Sequence, residues 1–391
     1  MTRRLFGLNP VLIAAFGLCL FSQGLSQVTP VSVHGQLRVQ GNRIVDKNGT
    51  AVALNGMSMY AWAQQGLQFY NATAVKRLVD EWKCTVIRIP ILPGNVSSQT
   101  NLVKTVVDAC IANGIYAIID WHSMEAAQSG PASEFFKSMA TAYGTTPNVM
   151  YEPWNEPVQE NWATIKAYHE KVIQAIRAID PDNIIICGNP NWDQHPEIAA
   201  ADPITSSTNI AYSVHFYAAT HKQSLRTASA AALAKGAALF STEYGTSEAS
   251  GSGTFDAAET QLWWTFLQAN GIGSANWSMS ALGETSAAFK DGTSSTTWTD
   301  ANLKPSGVLV KAFIISRYNA TVGIRPQSLR SRADAGPEAA ALFGDAGAVP
   351  AEVYTLDGTH IRPVVQKVPA NGYFLVPARS TGKSQGIALI R

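Results

Sequence analysis

Charge is scarce in this chain, and neither sign dominates. Of 391 residues, 29 are Lys or Arg and 28 are Asp or Glu, a charged share of 15 % and a net charge of +1. That balance offers no excess of positive charge for nucleic acid or an acidic membrane surface. With 46 % hydrophobic residues the sequence reads as globular rather than disordered. Cysteine is sparse as well. Cys19 falls in an N-terminal leader, and Cys84, Cys110 and Cys187 stand in apolar contexts without the close spacing of a metal site. Three buried free thiols are expected, with one disulfide of unassigned pairing as the alternative. The marks of several enzyme classes are missing too. No glycine-rich nucleotide loop follows the first strand-like run, no H-E-x-x-H pair occurs, and Ser241 does not sit in a G-x-S-x-G elbow. No calcium loop is evident either, so neither cofactor nor metal is expected.

The apolar stretch Val11–Phe21 is too short to span a bilayer. It follows Arg3 and Arg4 and precedes the small residues Gly24 and Ser26, the layout of an export signal cut near Gln27. Residues 1–26 are therefore read as a signal peptide and left out of the fold. The expectation is a secreted protein, extracellular or at the cell surface, with no membrane partner once the signal is removed.

From about residue 50 to residue 318, short apolar runs alternate with helical patterns. The candidate strands are Val52–Ser58, Thr85–Pro90, Tyr116–His122, Val149–Glu156 and four further runs, "NIIICGNP", "IAYSVHFYA", "ALFSTEYG" and "GSANWSMS". Most are continuously apolar, as strands covered on both faces are. Between them "ATAVKRLVDEWK", "LVKTVVDACIANG" and "NWATIKAYHEKVIQAIRAID" carry apolar residues at three- and four-residue spacing, with Gly114 and Pro181 as stops. Eight strands alternating with helices predict an α/β fold of the (β/α)8 TIM-barrel type over residues 27–318. An open doubly wound sheet is the alternative, and the missing nucleotide loop counts against it.

Before the barrel, the alternating segment from His34 and the dipeptide Asn48-Gly49 predict a short N-terminal β-hairpin that caps the barrel floor. Residues 319–349 shift to Ala, Gly, Arg and Asp and read as a linker. Strand alternation resumes around Asp357-Gly358 and Asn371-Gly372, so residues 350–391 are expected to form a small C-terminal β-module.

The C-terminal ends of barrel strands converge on one mouth. Arg88 is read at the end of the second strand, His122 the third, Asn155 and Glu156 the fourth, His215 and Tyr217 the sixth, Glu243 the seventh and Trp277 the eighth. Glu156 and Glu243 each close an apolar run and precede turn residues. Two carboxylates in one cleft divide a reaction, one giving a proton while the other attacks or stabilises positive charge, and the best match is glycoside hydrolysis. At pH 7 only about one free Glu in 500 carries a proton, so such an acid needs burial or a neighbouring negative charge. A zinc site from the histidines and glutamates is a sharper rival, but its ligands would come from scattered strands. Trp62, Trp154, Trp192 and Trp277 are candidates for stacking on a sugar, with core packing as the alternative for each.

Taken in order, Arg88 in "VIRIP", His122 in "IIDWH", Asn155-Glu156-Pro157, His215 and Tyr217 in "VHFYA", Glu243 in "STEYGT" and Trp277 in "ANWSMS" resemble glycoside hydrolase family 5, especially its bacterial endo-β-1,4-glucanases. The resemblance spans residues 34–318. It implies a retaining mechanism with Glu156 as acid/base and Glu243 as nucleophile, acting on a β-1,4-glucan. Asn155 would bond the sugar 2-OH, Arg88 and Tyr217 would orient and ionise Glu243, His122 and His215 would line the reacting subsite, and Trp277 would be the platform. One position departs from the pattern. Relatives of this type carry Asp-Lys shortly after the Trp, where this chain has Ala281-Leu282, which leaves the preferred glycan open. Another β-glycan (glucomannan, mannan, xyloglucan or mixed-linkage glucan) is the first rival, and a non-catalytic carbohydrate-binding barrel the second. The C-terminal module resembles the sorting or surface-attachment tails of some bacteria, with cell-surface or secretion machinery as its partner; a simple packing appendage is the alternative.

Overall fold

The structure, a computed structural model, describes residues 28–125 and 128–323 together with four short strands near the C-terminus. The expected signal peptide and most of the expected linker lie outside the described residues. The chain divides into two units, Met1–Arg325 and Pro326–Arg391.

In the first unit a hairpin, β1 (Arg38–Gln40) and β2 (Arg43–Val45), precedes the sheet strands β3 (Asn55–Met59), β4 (Val86–Ile91), β5 (Tyr116–Trp121), β6 (Val149–Glu152), β7 (Ile185–Cys187), β8 (Ile210–Ser213), β9 (Phe216–Tyr217), β10 (Leu239–Gly245) and β11 (Gly273–Met279). Neighbours from β3 to β8 pair in parallel, β8 pairs with β10, β10 with β11, and β11 returns to β3, which closes the barrel. The short β9 pairs with β10 and continues the sixth stave beyond the break at Val214 and His215. All eight expected strands are present. Helices such as Val96–Ala112, Ser129–Tyr143 and Trp162–Arg177 cover the outside, the last capped by the Asn161 side chain accepting from the Thr164 N–H.

Side chains alternate along each strand, and the alternation sorts the barrel into layers. Ile87, Ile89 and Ile91 of β4, Ala117 and Ile119 of β5 and Val149 and Tyr151 of β6 join the apolar layer shared with the helices. Their neighbours Val86, Ile118 and Met150 join Ile184, Ile186, Ala211 and Phe240 in a second apolar cluster, and the hairpin's Leu37 and Ile44 belong to that cluster. The hairpin thus plugs the floor, as expected. Two residues beyond Val86, Ile118, Met150, Ala211 and Phe240 stand Arg88, Asp120, Glu152, Ser213 and Thr242, all buried. An apolar floor therefore carries a polar layer directly above it.

Several expected positions shift. The hairpin turns at Gly41-Asn42 rather than Asn48-Gly49: Gln40 pairs with Arg43, and Gly41 takes φ 58° at the first central position. Asn48-Gly49 makes a second turn, in which Asp46 Oδ1 accepts from the N–H groups of Asn48 and Thr50. Arg88 lies in mid-strand, because β4 runs on through Pro90 to Ile91. β6 stops at Glu152, and Pro153, with no N–H for the ladder, begins the loop that carries Asn155 and Glu156. The final helix, Pro305–Thr321, passes the boundary expected at residue 318. Cys84, Cys110 and Cys187 are buried and free, and burial pushes each thiol well above its ordinary pKa. In the second unit β12 (Val353–Tyr354) pairs antiparallel with β13 (His360–Ile361), and β14 (Leu375–Pro377) with β15 (Ile387–Leu389).

Gly56 shows how tightly the staves meet. A Cβ at this position would lie 1.7 Å from the Val86 carbonyl oxygen of the paired strand. Gly56→Ala is expected to destabilise the barrel by at least the upper part of the about 1–3 kcal/mol typical of overpacking. Chemical denaturation monitored by Trp fluorescence checks this; an unchanged midpoint would mean that β3 and β4 can separate without cost.

Candidate active site

Arg88 is wholly buried and its guanidinium is the hub of the polar layer. Nε donates to Glu152 Oε2 at 2.7 Å, Nη1 to Glu243 Oε2 at 2.8 Å, and Nη2 lies 3.0 Å from Asp120 Oδ2 and donates to Asn155 Oδ1. Two cations, Arg88 and His215, face a surplus of carboxylates, and the protons distribute accordingly. Burial raises the Glu152 carboxyl, but Arg88 and His215 outweigh it and hold the group at about 2. Asp120, also wholly buried and close to the charges of Glu152 and Glu243, is pushed well above the carboxylate range despite Arg88.

Glu243 lies in β10 and receives a second bond, from the Tyr217 hydroxyl to Oε1 at 2.7 Å. Both of its oxygens are thus fixed by donors. Glu156 is reached differently. Its loop bonds back to β5 and the residues after it, the Asn155 N–H donating to the Trp121 carbonyl and the Glu156 N–H to the Ser123 carbonyl. Its Oε1 is 2.8 Å from His215 Nδ1. Ligand atoms of Glu156, His215 and Glu243 all lie within 4.8 Å of one another, so the two glutamates share one site.

The two histidines have opposite fates. His122 Nδ1 is 2.6 Å from Asp120 Oδ2; burial, with Arg88 close by, lowers its pKa to about 3, so the ring is neutral. His215 is buried too, which opposes its charge, but Asp193, Glu152 and Glu156 surround it and raise it well above the ordinary value. Its Nε2 is 2.8 Å from Thr242 Oγ1, and the Thr242 hydroxyl donates its only proton to Glu152 Oε1 at 2.6 Å. Thr242 therefore accepts from Nε2–H, and in the charged ring, which its raised pKa favours, Nδ1–H also donates, to Glu156.

These groups open into a cavity of about 760 Å³ walled by Tyr60, Trp62, His122, Trp192, Tyr217 and Trp277, with Ala249–Gly251 and Glu284 on its rim. Trp62 is 45 % exposed and Trp192 37 %, as stacking surfaces require, whereas Trp277 is 5 % exposed and presents only part of its ring. Trp62 lies edge-on to His122 (centroids 4.4 Å apart), and His122 stacks on Trp277 at 5.4 Å. Trp154 is 1 % exposed and packs against Tyr168 at 4.7 Å, so it belongs to the core rather than the cleft. A larger hollow, about 950 Å³, lies along the helix Trp162–Arg177 but contains none of these groups. At the departing position, Leu282 offers no cation, and Lys304 Nζ instead binds the carbonyls of Leu282 and Glu284.

The site thus unites Arg88, His122, Asn155, Glu156, His215, Tyr217 and Glu243, with Trp62, Trp192 and Trp277 on its walls. Sequence reasoning missed Asp120, Glu152, Thr242 and Asp193. The first three had a usable signal: each stands two residues beyond an apolar, inward-facing position. Asp193 had none, because it depends on an irregular turn.

A closed parallel barrel with two facing glutamates at its mouth, among exposed tryptophans, has the architecture of a glycoside hydrolase. The chain belongs to the cellulase family, glycosyl hydrolase family 5, which it matches over residues 45–283. It is 42 % identical over 319 residues to endoglucanase Z of Dickeya dadantii, covering 78 % of this chain and 71 % of that one. It is also 42 % identical over 304 residues to an endoglucanase of Clostridium saccharobutylicum, covering 74 % and 67 %. Among solved structures it resembles the catalytic domain of endoglucanase Cel5A from Thermobifida fusca (31 % identity, TM-score 0.69, 73 % of this chain and 99 % of that one). A structure from Cytophaga hutchinsonii is 44 % identical, with a TM-score of 0.73 over 75 % and 98 %. The protein is a glycoside hydrolase with cellulase activity.

The histidine environments set a pH dependence of stability. The pKa of His122 falls from 6.5 unfolded to about 3 folded, and burial lowers His169 and His221 to about 4. Their contribution is complete above pH 6.5 and is lost as pH falls toward those values; Glu152 adds a further loss between 4.5 and about 2. The raised carboxyls of Asp120 and Asp193 work in the opposite sense as pH falls, so the histidine share is read by difference: the urea midpoint of His122→Gln is expected to fall less steeply than that of the parent between pH 6.5 and 3. Parallel profiles would show that His122 titrates as a free histidine does.

Proposed function

We propose that the chain is an exported endo-β-1,4-glucanase that cleaves internal bonds with retention, through a covalent glycosyl-enzyme. The observation that carries the mechanism is the approach of the two carboxylates, with oxygens within 4.8 Å of each other. Retaining enzymes hold their carboxyls about 5–5.5 Å apart, whereas inverting ones leave about 6.5–9.5 Å for a water.

Roles follow from the partners. Glu243, fixed by Arg88 and Tyr217, aims an oxygen at the anomeric carbon and forms the new C–O bond as the glycosidic bond breaks. Glu156, beside His215, gives its proton to the departing oxygen. In the second half it removes a proton from water, which attacks the anomeric carbon and frees Glu243. The bond to Arg88 occupies the Asn155 carbonyl oxygen and leaves its amide protons for a sugar hydroxyl. Trp62, Trp192 and Trp277 supply faces for the pyranose rings. That the solved relatives include a Thermobifida fusca Cel5A variant bound to cellotetraose (30 % identical, TM-score 0.67) supports a β-1,4-glucan as substrate. Residues 1–26 direct export. The residues after the helix that ends at Thr321 serve as a linker up to residue 349, and residues 350–391 serve as a contact for cell-surface or secretion machinery, with a packing appendage as the alternative.

A second reading, another β-glycan as preferred substrate, is favoured by Leu282 alone. Two measurements decide. Glu243→Ala with azide is expected to yield the α-glycosyl azide and Glu156→Ala the β one; swapped products reverse the roles, and full activity in either variant refutes the mechanism. Rates on carboxymethylcellulose are expected to exceed those on mannan; a strong preference for mannan would replace the substrate.

A further inference from the structure

The wall that carries Trp192 is built in an unusual way. Asn191, Trp192 and Asp193 take φ 57°, 57° and 58° in succession, a left-handed turn made without glycine. L-residues disfavour this conformation, and a run of three persists only where the surroundings fix it. Here they do. The Trp192 N–H donates to the carbonyl of Pro157, next to Glu156, the Asp193 N–H donates to Asn189, and the His215 N–H donates to the Asp193 carbonyl.

The Asp193 side chain ends between the turn and the histidine. It is fully buried. Oδ1 accepts from the Asn189 N–H at 2.6 Å, while Oδ2 has no hydrogen-bond partner among the described residues and lies 3.5 Å from His215 Nε2. Leaving a buried carboxyl oxygen unpartnered is costly unless a charge faces it. The group facing it is the imidazole whose other nitrogen meets Glu156.

Resting on the assignment of Glu156 as acid/base, we propose that Asp193 is a positioning residue for that proton transfer. It holds His215 in the orientation that engages Glu156, and the same turn sets Trp192 on the cleft wall. The aromatic wall and the proton donor are thereby fixed by one short segment. Asp193 touches no reacting atom; it acts through His215.

The test is leaving-group dependence, which a merely structural role does not produce. An aryl β-cellobioside with a dinitrophenyl leaving group needs little protonation, and one with a plain phenyl group needs much. For Asp193→Asn, which keeps an acceptor for Asn189 but sets an amide against Nε2–H, kcat/KM is expected to fall about 10–100-fold on the phenyl substrate, part of the 10²–10⁴-fold that general acids supply. On the dinitrophenyl substrate it is expected to fall less than about 3-fold, little proton transfer being left to lose. Asp193→Ala serves if the first variant does not fold, with circular dichroism as the check. Equal losses on both substrates, or none, overturn the proposal. Glu156→Gln is run alongside. If its loss is leaving-group-dependent while that of Asp193→Asn is uniform, only this proposal falls; if its own loss is uniform, the acid/base assignment falls and takes the proposal with it.

Discussion

One guanidinium organises the interior of this barrel. Arg88 brings a full charge into a space that excludes water, and it is tolerated because Glu152, Glu243, Asp120 and Asn155 all point at it. Removing one side of such an arrangement generally costs about 3–5 kcal/mol, because a charge is left buried without a partner. The dependence runs both ways. Without Arg88, Glu152 and Asp120 would be left with His215 as their cation beneath the cleft, and Glu243 would lose one of its two donors. The orientation of Glu243 is thus inherited from a structural ion cluster, which in turn stands on the apolar floor closed by the hairpin.

Above that cluster the cleft is asymmetric. Tyr60, Trp62 and Trp277 form one aromatic wall, while Ala249–Gly251 bring main chain and small side chains to the rim. Loop hydrogen bonds tie this rim together, the Ser286 N–H and hydroxyl both donating to the Gly251 carbonyl. The two histidines complete the division of labour. The neutral His122 packs as an aromatic ring, and the charged His215 acts as a donor.

Much of this was legible in the sequence. Eight continuously apolar runs separated by amphipathic helices specify a parallel barrel, because strands covered on both faces leave no alternation to obscure them. Glu156 and Glu243 stood out because a charged residue ends an otherwise apolar run. Arg88 was visible as a residue but misplaced, since "VIRIP" gives no sign that the strand continues through Pro90. Asp120 and Glu152 escaped notice although each stands two residues beyond an apolar position of its run, a signal that the register of neighbouring strands, as of Asp120 with Glu152, makes plain. Trp154 and Trp192 looked alike on the page. A helix covers one, and a left-handed turn exposes the other, and neither fact is local to the tryptophan.

The three buried thiols have a consequence of their own. Cys84 precedes β4, Cys110 lies close to it in the helix Val96–Ala112 that packs on that strand, and Cys187 ends β7, so the first two sample one neighbourhood of the barrel and the third another. Low thiolate content and lack of access make them inert in the native state. A thiol reagent can reach each only when its neighbourhood opens. The molecule thus carries its own strain gauges: differing modification rates would trace the seam at which the cylinder first parts, and a single shared rate would mean that it opens as a whole.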